Sequence, residues 1–440
     1  MKVLQGNMRQ TLHKAWGEDV YPLLSWFETQ RVKEAHIMVV GAGALGNEVL
    51  KNLALFGVGN LVIVDFDTIE YSNLTRSVLF RPEDADKGLY KADVAARRIK
   101  EINSDIHVQA ICGDLATDVG LGVYRRMDVI IGCLDSLQAR VKLNRICFRA
   151  GKTWIDGSIG DLEGQVSVYQ PGINCYECNL TDDERRDLSR RTSCAGIVKM
   201  NEEAGRTATT PVMASLIAAV QVQEAMKLLH PEAIEAGKFS TLTGKLFAYE
   251  GAHNSVNIFE FATRDEDCIA HECWSPVVQV PELSAETTVS EVLGGFAGES
   301  GFAAGTVASP GKGGFAAGKV ASPGKEGDLG ESGSAFNSRD VITGVEIHLR
   351  NNKFVDRIVS REGNKHFSPM LAESNIPDYI RSNEERRNIQ ISEGFYQHDY
   401  ENIDDTFPYP QLSLRQIGIP NLDVIPISTP QGLFYVELSF

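Results

Sequence analysis

The chain has 440 residues, 43% of them hydrophobic, and its 59 acidic against 43 basic side chains give a formal net charge of -16. A chain of this length folds into about two or three domains and can bury a sizeable core. Its acidic balance argues against nucleic acid as a partner, because phosphate contacts are made chiefly by clustered Lys and Arg.

The N-terminal residues and the least polar stretch predict neither secretion nor membrane insertion. Residues 1–17 lack the apolar core and small-residue cleavage site of a secretory signal. Residues 207–223 are uncharged, but they contain Pro211 and are too short to span a bilayer. They predict a buried helix instead. The eight cysteines are too few for a disulfide scaffold. From these three observations together, we expect a cytoplasmic protein without membrane contact.

Strands and helices alternate along the first part of the chain. The β-branched run HIMVV at residues 36–40 precedes a Gly-rich turn, a segment with helical spacing of apolar residues, and a second strand ending at Asp65. The alternation continues to residue 155, which predicts a doubly wound, Rossmann-like α/β fold with a mostly parallel sheet. Later alternating runs predict antiparallel additions at 165–169, 238–249 and 256–261.

The composition changes abruptly between residues 294 and 338. The segment GFAAGTVASPGK at 301–312 recurs almost unchanged at 314–325. Gly, Ala, Ser and Pro cannot bury enough apolar surface to offset chain entropy, so this region predicts a mobile linker. The expected organisation is an N-terminal segment, an α/β domain, the linker, and a small β-rich or α+β module of unknown function. Their ranges are 1–30, 31–293, 294–338 and 339–440.

The Gly-rich turn is a candidate nucleotide site. Gly41, Gly43 and Gly46 form a GxGxxG pattern between a strand and a helix, where glycines let the backbone approach a polyphosphate. Asp65, at the end of the next strand, is placed to contact a ribose hydroxyl. These features alone are equally typical of a nicotinamide- or flavin-binding Rossmann domain.

Further motifs follow in order: DFDTIEYSNLTR at 65–76, KGLYKA at 87–92, GCLD at 132–135 and TWIDG at 153–157. With them, residues 31–229 resemble the superfamily of ubiquitin-activating enzymes and their bacterial relatives ThiF, MoeB and HesA. The amino-acid sequences of several segments are most similar to those of the activating enzymes encoded in bacterial ubiquitin-like operons. Those operons also encode a ubiquitin-like protein and a conjugating enzyme.

This resemblance implies ATP-dependent adenylation of the C-terminal glycine of a carrier protein. A carboxylate that attacks the α-phosphorus needs charge neutralisation and in-line positioning more than a proton shuttle. Glycines of the turn would hold ATP, Asp65 would contact the ribose, and Asp135 would hold Mg²⁺. Asn73, Arg76 and Lys91 would contact the phosphates. The nucleotide set implied by the motifs is Gly41, Gly43, Gly46, Asp65, Asp67, Asn73, Arg76, Lys91 and Asp135. Arg76, Lys91 and Asp135 are also its candidate catalytic residues.

The chain departs from the family pattern at several positions. Relatives usually have Gln where this chain has Ser77, and Asn where it has Ser136. Lys87 is the alternative to Lys91 as the lysine that would contact the phosphates. Many bacterial relatives supply an N-terminal arginine to the partner subunit, and Arg9 is the nearest candidate for it.

Two groups of soft ligands predict a structural zinc site. Cys175 and Cys178 form a CxxC pair, and Cys268 is followed by His271 and Cys273. Two short-loop pairs can build a tetrahedral Zn²⁺ site. The fourth ligand is either His271 or Cys273. Ordinary reduced cysteines, or a redox CxxC, are the alternatives.

Cys194 lies in a polar, arginine-rich stretch, DERRDLSRRTSCAG, where cationic neighbours favour the thiolate. The resemblance implies that a cysteine here accepts the activated carrier as a thioester and passes it to a conjugating enzyme. Cys112, Cys133 and Cys147 lie in strand or helix runs and are expected in the core.

The sequence therefore predicts a ubiquitin-like-protein activating enzyme, acting as a homodimer. A sulfur-carrier adenylyltransferase like ThiF or MoeB, without thioester transfer, uses the same chemistry and stays open. An NAD-dependent oxidoreductase is a rival of another class, although no proton-donor motif accompanies the glycine turn. A non-catalytic scaffold is the third alternative.

Overall fold

The computed structural model describes most of the first 295 residues and parts of the remainder. The described residues are 16–17, 20–191, 209–261, 265, 267–295, 346–348, 354–361, 364–366, 396–400, 402–403, 411–429 and 432–439. Arg9, Cys194 and the two repeats lie outside them, so the predictions about these residues remain predictions.

An eight-stranded sheet forms the centre of the protein, in the order β3-β2-β1-β4-β5-β6-β7-β8. The first five strands along this order are parallel and the last three are added antiparallel. The predicted doubly wound, mostly parallel sheet with antiparallel additions is confirmed. The strands are β1 (His36–Val40), β2 (Asn60–Val64), β3 (His107–Ile111), β4 (Val129–Gly132), β5 (Trp154–Ile159), β6 (Glu163–Tyr169), β7 (Lys245–Glu250) and β8 (Ser255–Glu260).

Helices cover both faces of this sheet. Alternate residues of each strand point to opposite faces, so each face has its own core cluster. Ile37 and Val39 pack in one core cluster with α2, α4 and α8, whereas Met38 and Val40 pack in another with α5 and α6. The helices are α1 (Thr29–Glu34), α2 (Ala44–Phe56), α3 (Pro82–Asp86), α4 (Lys91–Ile102), α5 (Leu121–Arg125), α6 (Leu137–Ala150), α7 (Asp182–Arg191), α8 (Pro211–Leu228), α9 (Pro231–Glu235) and α10 (Val289–Gly295).

The apolar stretch at 207–223 contributes most of α8. Thr210 caps this helix by accepting a hydrogen bond from the Met213 amide, and Pro211 occupies its first turn. Polar Gln221 and Glu224 are buried together with its apolar residues. Among the described residues, none of the helices has the length and apolar character needed to cross a membrane.

A second, five-stranded sheet has the order β14-β10-β15-β16-β9, and a three-stranded sheet has the order β12-β11-β13. This part of the chain is β-rich. Strand β9 pairs in parallel with the C-terminal strand β16, so the second sheet draws on chain from both sides of residues 294–338. The strands are β9 (Val277–Ser284), β10 (Glu346–His348), β11 (Phe354–Arg361), β12 (Asn364–His366), β13 (Tyr396–Tyr400), β14 (Asn402–Ile403), β15 (Val424–Thr429) and β16 (Gly432–Ser439).

The second sheet docks against α5 of the first domain. The Asp423 carboxylate accepts a hydrogen bond from the Leu121 amide at 2.8 Å, and the Gly122 amide donates to the Leu422 carbonyl at 2.7 Å. Both contacts satisfy amides at the N-terminus of a helix, which has no partners of its own for them. Trp274 stacks on Tyr435 with ring centroids 5.2 Å apart. The C-terminal module is therefore packed directly on the α/β domain.

We expect deletion of residues 301–325 to leave both sheets intact. The chain leaves the second sheet after α10 and re-enters it at β10, so the repeats connect two parts of one module. For a flexible connection, as the composition of this segment predicts, halving the length changes the closure free energy by only about 0.6 kcal/mol. The thermal midpoint of the deletion variant should match that of the full chain. A lowered midpoint would show that the repeats are structured.

Candidate functional site

The glycine turn at residues 41–46 joins β1 to α2 and is wound tightly against β4. Gly41 has a φ of +96°, and a Cβ there would lie 2.4 Å from the Cys133 carbonyl oxygen. A Cβ on Gly46 would lie 2.0 Å from the Gly41 carbonyl oxygen. At Gly43, by contrast, a Cβ would meet no atom of the described residues within 4 Å. The turn thus leaves open space in front of the N-terminus of α2, where backbone amides favour an anion.

Asp65 directly follows β2 and is hydrogen-bonded to the glycine turn. Its two carboxylate oxygens accept hydrogen bonds from the backbone amides of Ala42 at 2.6 Å and Asp67 at 2.8 Å. Burial raises the pKa of Asp65, whereas the Ala42 amide and the Lys91 ammonium oppose that rise. Asp65 therefore shapes the glycine turn directly, and its contact with a ribose hydroxyl stays a prediction.

Lys91 lies beside the turn at the first position of α4. Its ammonium is 2.6 Å from the Asp67 carboxylate, and its side chain is only 11% exposed. Lys87, the competing candidate, is exposed at the end of α3. Of the two lysines, the geometry favours Lys91 as the cation of the site.

Asn73 and Arg76 follow on the segment after β2, where a short 3-10 helix spans Tyr71–Asn73. The Asn73 side-chain oxygen accepts from the Glu70 amide at 2.9 Å, and the Arg76 guanidinium donates to the Ser72 carbonyl at 2.6 Å. Each contact uses only part of the side chain. Among the described residues, no hydrogen bond occupies the Asn73 amide group or the remaining Arg76 N–H groups, so these donors can serve a phosphate.

Asp135 and Ser136 stand where β4 passes into α6. Asp135 is exposed just beyond the carboxyl end of β4. Ser136 caps α6, because its hydroxyl accepts a hydrogen bond from the Ala139 amide at 3.2 Å. Ser and Asn are both strong N-cap residues, so Ser136 is suited to begin α6. Ser77, the other departure, is buried, and its hydroxyl has no hydrogen-bond partner among the described residues.

Asn47, which no motif in the sequence pointed to, is fully buried on α2. Its side-chain amide donates to the carbonyls of Ala42 at 2.7 Å and Gly43 at 3.0 Å. Its oxygen accepts from the Leu79 amide at 2.9 Å. Asn47 thus ties the glycine turn to the segment that carries Arg76. A polar residue inside an apolar helical pattern was the only signal for it.

A separate group joins the CxxC pair to the second half of the chain. The donor atoms of Cys175, Cys178, Cys268 and His271 all lie within 4.8 Å of one another. Cys175 Sγ is 3.4 Å from Cys178 Sγ and 3.8 Å from Cys268 Sγ, and Cys178 Sγ is 3.2 Å from His271 Nε2. Zn–S bonds of about 2.3 Å at tetrahedral angles separate two sulfurs by roughly 3.8 Å. The donor set and its spacing fit one zinc ion.

The surroundings of this Cys/His cluster also suit a structural metal. The His271 ring stacks on Phe148 with centroids 5.2 Å apart, and the Cys178 amide donates to Cys175 Sγ at 3.3 Å. Burial raises the pKa of the Cys175 thiol, so a thiolate here needs a cation. The structure brings His271, rather than the exposed Cys273, to the fourth position.

The three cysteines expected in the core do not all lie there. Cys147 is buried, Cys133 is intermediate, and Cys112 is exposed. Cys112 directly follows the last residue of β3, and this edge position leaves its side chain accessible. The expectation for Cys112 is therefore wrong.

The fold and the glycine turn define a Rossmann-type nucleotide-binding protein, with its site at the carboxyl edge of the parallel strands. A model of the ThiF family matches residues 8–270. The chain belongs to the ThiF family, within the superfamily of ubiquitin-activating-enzyme-like proteins. The resemblance of its motifs is thereby confirmed.

Individual relatives carry different names. The chain is 36% identical over 150 residues to SUMO-activating enzyme subunit 2 of Dictyostelium discoideum, a match that covers 34% of this chain and 22% of that protein. It is 30% identical over 218 residues to the sulfur carrier protein ThiS adenylyltransferase of Escherichia coli K12, covering 49% of this chain and 80% of that one. The chain thus spans about a fifth of the first of these relatives.

Among solved structures, the chain is similar to the crystal structure of E. coli MccB with succinimide. The identity is 23%, the TM-score is 0.44, and the match covers 55% of this chain and 68% of that chain.

Proposed function

We propose that this protein uses ATP and Mg²⁺ to adenylate the C-terminal glycine carboxylate of a ubiquitin-like or sulfur-carrier protein, with release of pyrophosphate. One observation carries the proposal. The glycine turn, Asp65, Lys91 and Asp135 all follow strands or begin a helix at the carboxyl edge of the sheet, and Lys91 pairs there with Asp67.

The residues of this edge suit an attack of a carboxylate on the α-phosphorus. Both reactants are anionic, so the first requirement is positive potential around them. Lys91 and Arg76 supply fixed cations, and the amides at the N-terminus of α2 supply donors. No side chain has to take a proton, because the attacking carboxylate is already ionised at neutral pH.

Asp135 fits the role of metal ligand, since an exposed carboxylate at this edge is the oxygen donor that Mg²⁺ prefers. When bound, Mg²⁺ neutralises phosphate charge. The ion pair between Lys91 and Asp67 keeps the ammonium in place beside the turn. In the same way, we propose one zinc ion in the Cys/His cluster, with a structural role.

The acyl-adenylate itself tests the proposal. The purified protein should convert a carrier protein ending in glycine into its acyl-adenylate, heavier by one adenylyl group (AMP less water), detected by mass spectrometry. A carrier lacking its terminal glycine is the control and should stay unmodified. No adduct with any of a panel of ubiquitin-like and sulfur-carrier proteins, together with tight NAD binding, would favour the oxidoreductase alternative.

We further propose that Cys194 accepts the activated carrier as a thioester and that a conjugating enzyme receives it. A thiolate is well suited to take an acyl group from an adenylate, and the product stays reactive toward a second thiol. In sequence, Arg185, Arg186, Arg190 and Arg191 precede Cys194 within ten residues, and α7 ends at Arg191. Arg185 is anchored by its hydrogen bond to the Glu177 carbonyl at 2.7 Å.

Replacing Cys194 by Ala should abolish a reductant-sensitive enzyme–carrier band on a non-reducing gel while leaving adenylate formation unchanged. The matched control is Cys112→Ala, which removes an exposed thiol near the sheet edge. A band that persists in the Cys194 variant and disappears in the control would move the acceptor to Cys112. Adenylate formation without any band in the wild-type protein would favour the sulfur-carrier type of activation.

A further inference from the structure

Asp135 lies in a turn at residues 133–136, and the guanidinium of Arg140 is hydrogen-bonded to this turn. Arg140 Nη2 donates to the Leu134 carbonyl at 2.6 Å and lies 3.4 Å from the Gly157 carbonyl. The Arg140 side chain is only 12% exposed. The residue immediately before the predicted metal ligand is therefore fixed by a buried cation.

The same guanidinium pairs with a buried carboxylate of the neighbouring strand. Arg140 Nε lies 3.1 Å from Asp156 Oδ1, and the Asp156 side chain is 11% exposed. Burial raises the pKa of Asp156, and the guanidinium opposes that rise. The partly buried Tyr176 lies near both groups. Arg140 thus links the turn after β4 to the middle of the adjacent strand β5.

The position of Arg140 on α6 is unfavourable for the helix alone. The residue lies in the first turn, where its amide donates to the Ser136 carbonyl at 3.2 Å. A cation near a helix N-terminus is repelled by the helix dipole. Burial of a charge adds a further cost, which is offset only if the group is fully paired. The placement of Arg140 therefore serves the turn and β5 rather than the helix.

We propose that Arg140 is a positioning residue for the adenylation reaction, which fixes the Leu134 carbonyl so that Asp135 presents its carboxylate to the Mg²⁺-nucleotide. The inference rests on the proposed function. It distinguishes Arg140 from a simple counterion of Asp156, because the two roles use different nitrogens of the guanidinium.

The test compares ATP affinity with and without Mg²⁺, measured by isothermal titration calorimetry on the full chain. The variants are Arg140→Met, Arg140→Lys, Asp156→Asn and the double variant Arg140→Met/Asp156→Asn. Met keeps the bulk of the side chain but removes all donors. Asn at 156 removes the buried charge, so the double variant leaves no unpaired ion and remains foldable where Arg140→Met alone fails to fold.

We expect Mg²⁺ to increase the ATP affinity of the wild-type protein, and we expect that gain to fall by about 10- to 100-fold in the double variant. ATP affinity in EDTA should stay within about twofold of wild type, because the glycine turn is untouched. Asp156→Asn alone should retain the gain, and Arg140→Lys should retain only part of it, since one ammonium cannot reach both the carbonyl and the carboxylate.

Two results would overturn the inference, and they are distinguishable from a failure of the proposed function. If the double variant keeps the wild-type gain from Mg²⁺, Arg140 acts only as a counterion. If it loses ATP affinity equally in EDTA, its role is general stability of the site. A wild-type protein that binds no ATP under either condition would overturn the proposed function, and this inference with it.

Discussion

Replacing Asp135 by Ala is expected to lower ATP–pyrophosphate exchange by about 100- to 1,000-fold. Its exposed carboxylate follows β4 at the edge of the site and would hold the ion that neutralises the reacting phosphates. Loss of one preorganised electrostatic contact in a transition state costs about this much. Exchange rates at saturating ATP and carrier, over a range of Mg²⁺ concentrations, are the measurement.

The matched control for this variant is Asp105→Ala. Asp105 is also exposed, but it precedes β3 and so lies at the opposite edge of the sheet. Both variants lose one surface carboxylate, and only the Asp135 variant should lose exchange. Equal activity of the two variants would remove Asp135 from the site.

Replacing Cys175 by Ser is expected to abolish zinc binding and to destabilise the fold. Cys175 is fully buried and contacts two other ligands of the Cys/His cluster. Structural zinc contributes directly to folding. A loss of at least about 3 kcal/mol corresponds to a thermal midpoint lower by roughly 6–12 °C in a domain of this size. Elemental analysis and thermal unfolding are the measurements.

Cys273→Ser is the control, because Cys273 is exposed and lies outside the group of four. It should keep one zinc per chain and an unchanged midpoint. A control variant that loses zinc, or a wild-type protein that contains none after expression with added zinc, would contradict this assignment.

The parts of the fold that could be predicted from the sequence have local signals. A β-branched run, three glycines and a helical apolar period predict the strand, the glycine turn and the helix at residues 36–56. The spacing within the two groups of ligands predicts that Cys175, Cys178 and Cys268 share one site. Spacing could not choose between His271 and Cys273, because the choice depends on how a 3-10 helix at Ile269–His271 directs the side chain.

The missed features depend on contacts between residues distant in sequence. Asn47 reaches the Leu79 amide, and Arg140 reaches Asp156 on another strand. In sequence, each is one polar residue on a helix, which usually indicates a solvated face. The pairing of β9 with β16 joins residues more than 150 positions apart. No local pattern specifies such a pairing, since its two strands lie far apart in the sequence.

The central claim is that this protein activates the C-terminal glycine of a carrier protein with ATP. Its most direct test is exchange of labelled pyrophosphate into ATP by the purified full chain, with and without a panel of ubiquitin-like and sulfur-carrier proteins. We predict exchange that depends on Mg²⁺ and on a carrier with an intact terminal glycine. Absence of exchange with every carrier, in a protein that binds NAD and not ATP, would contradict it.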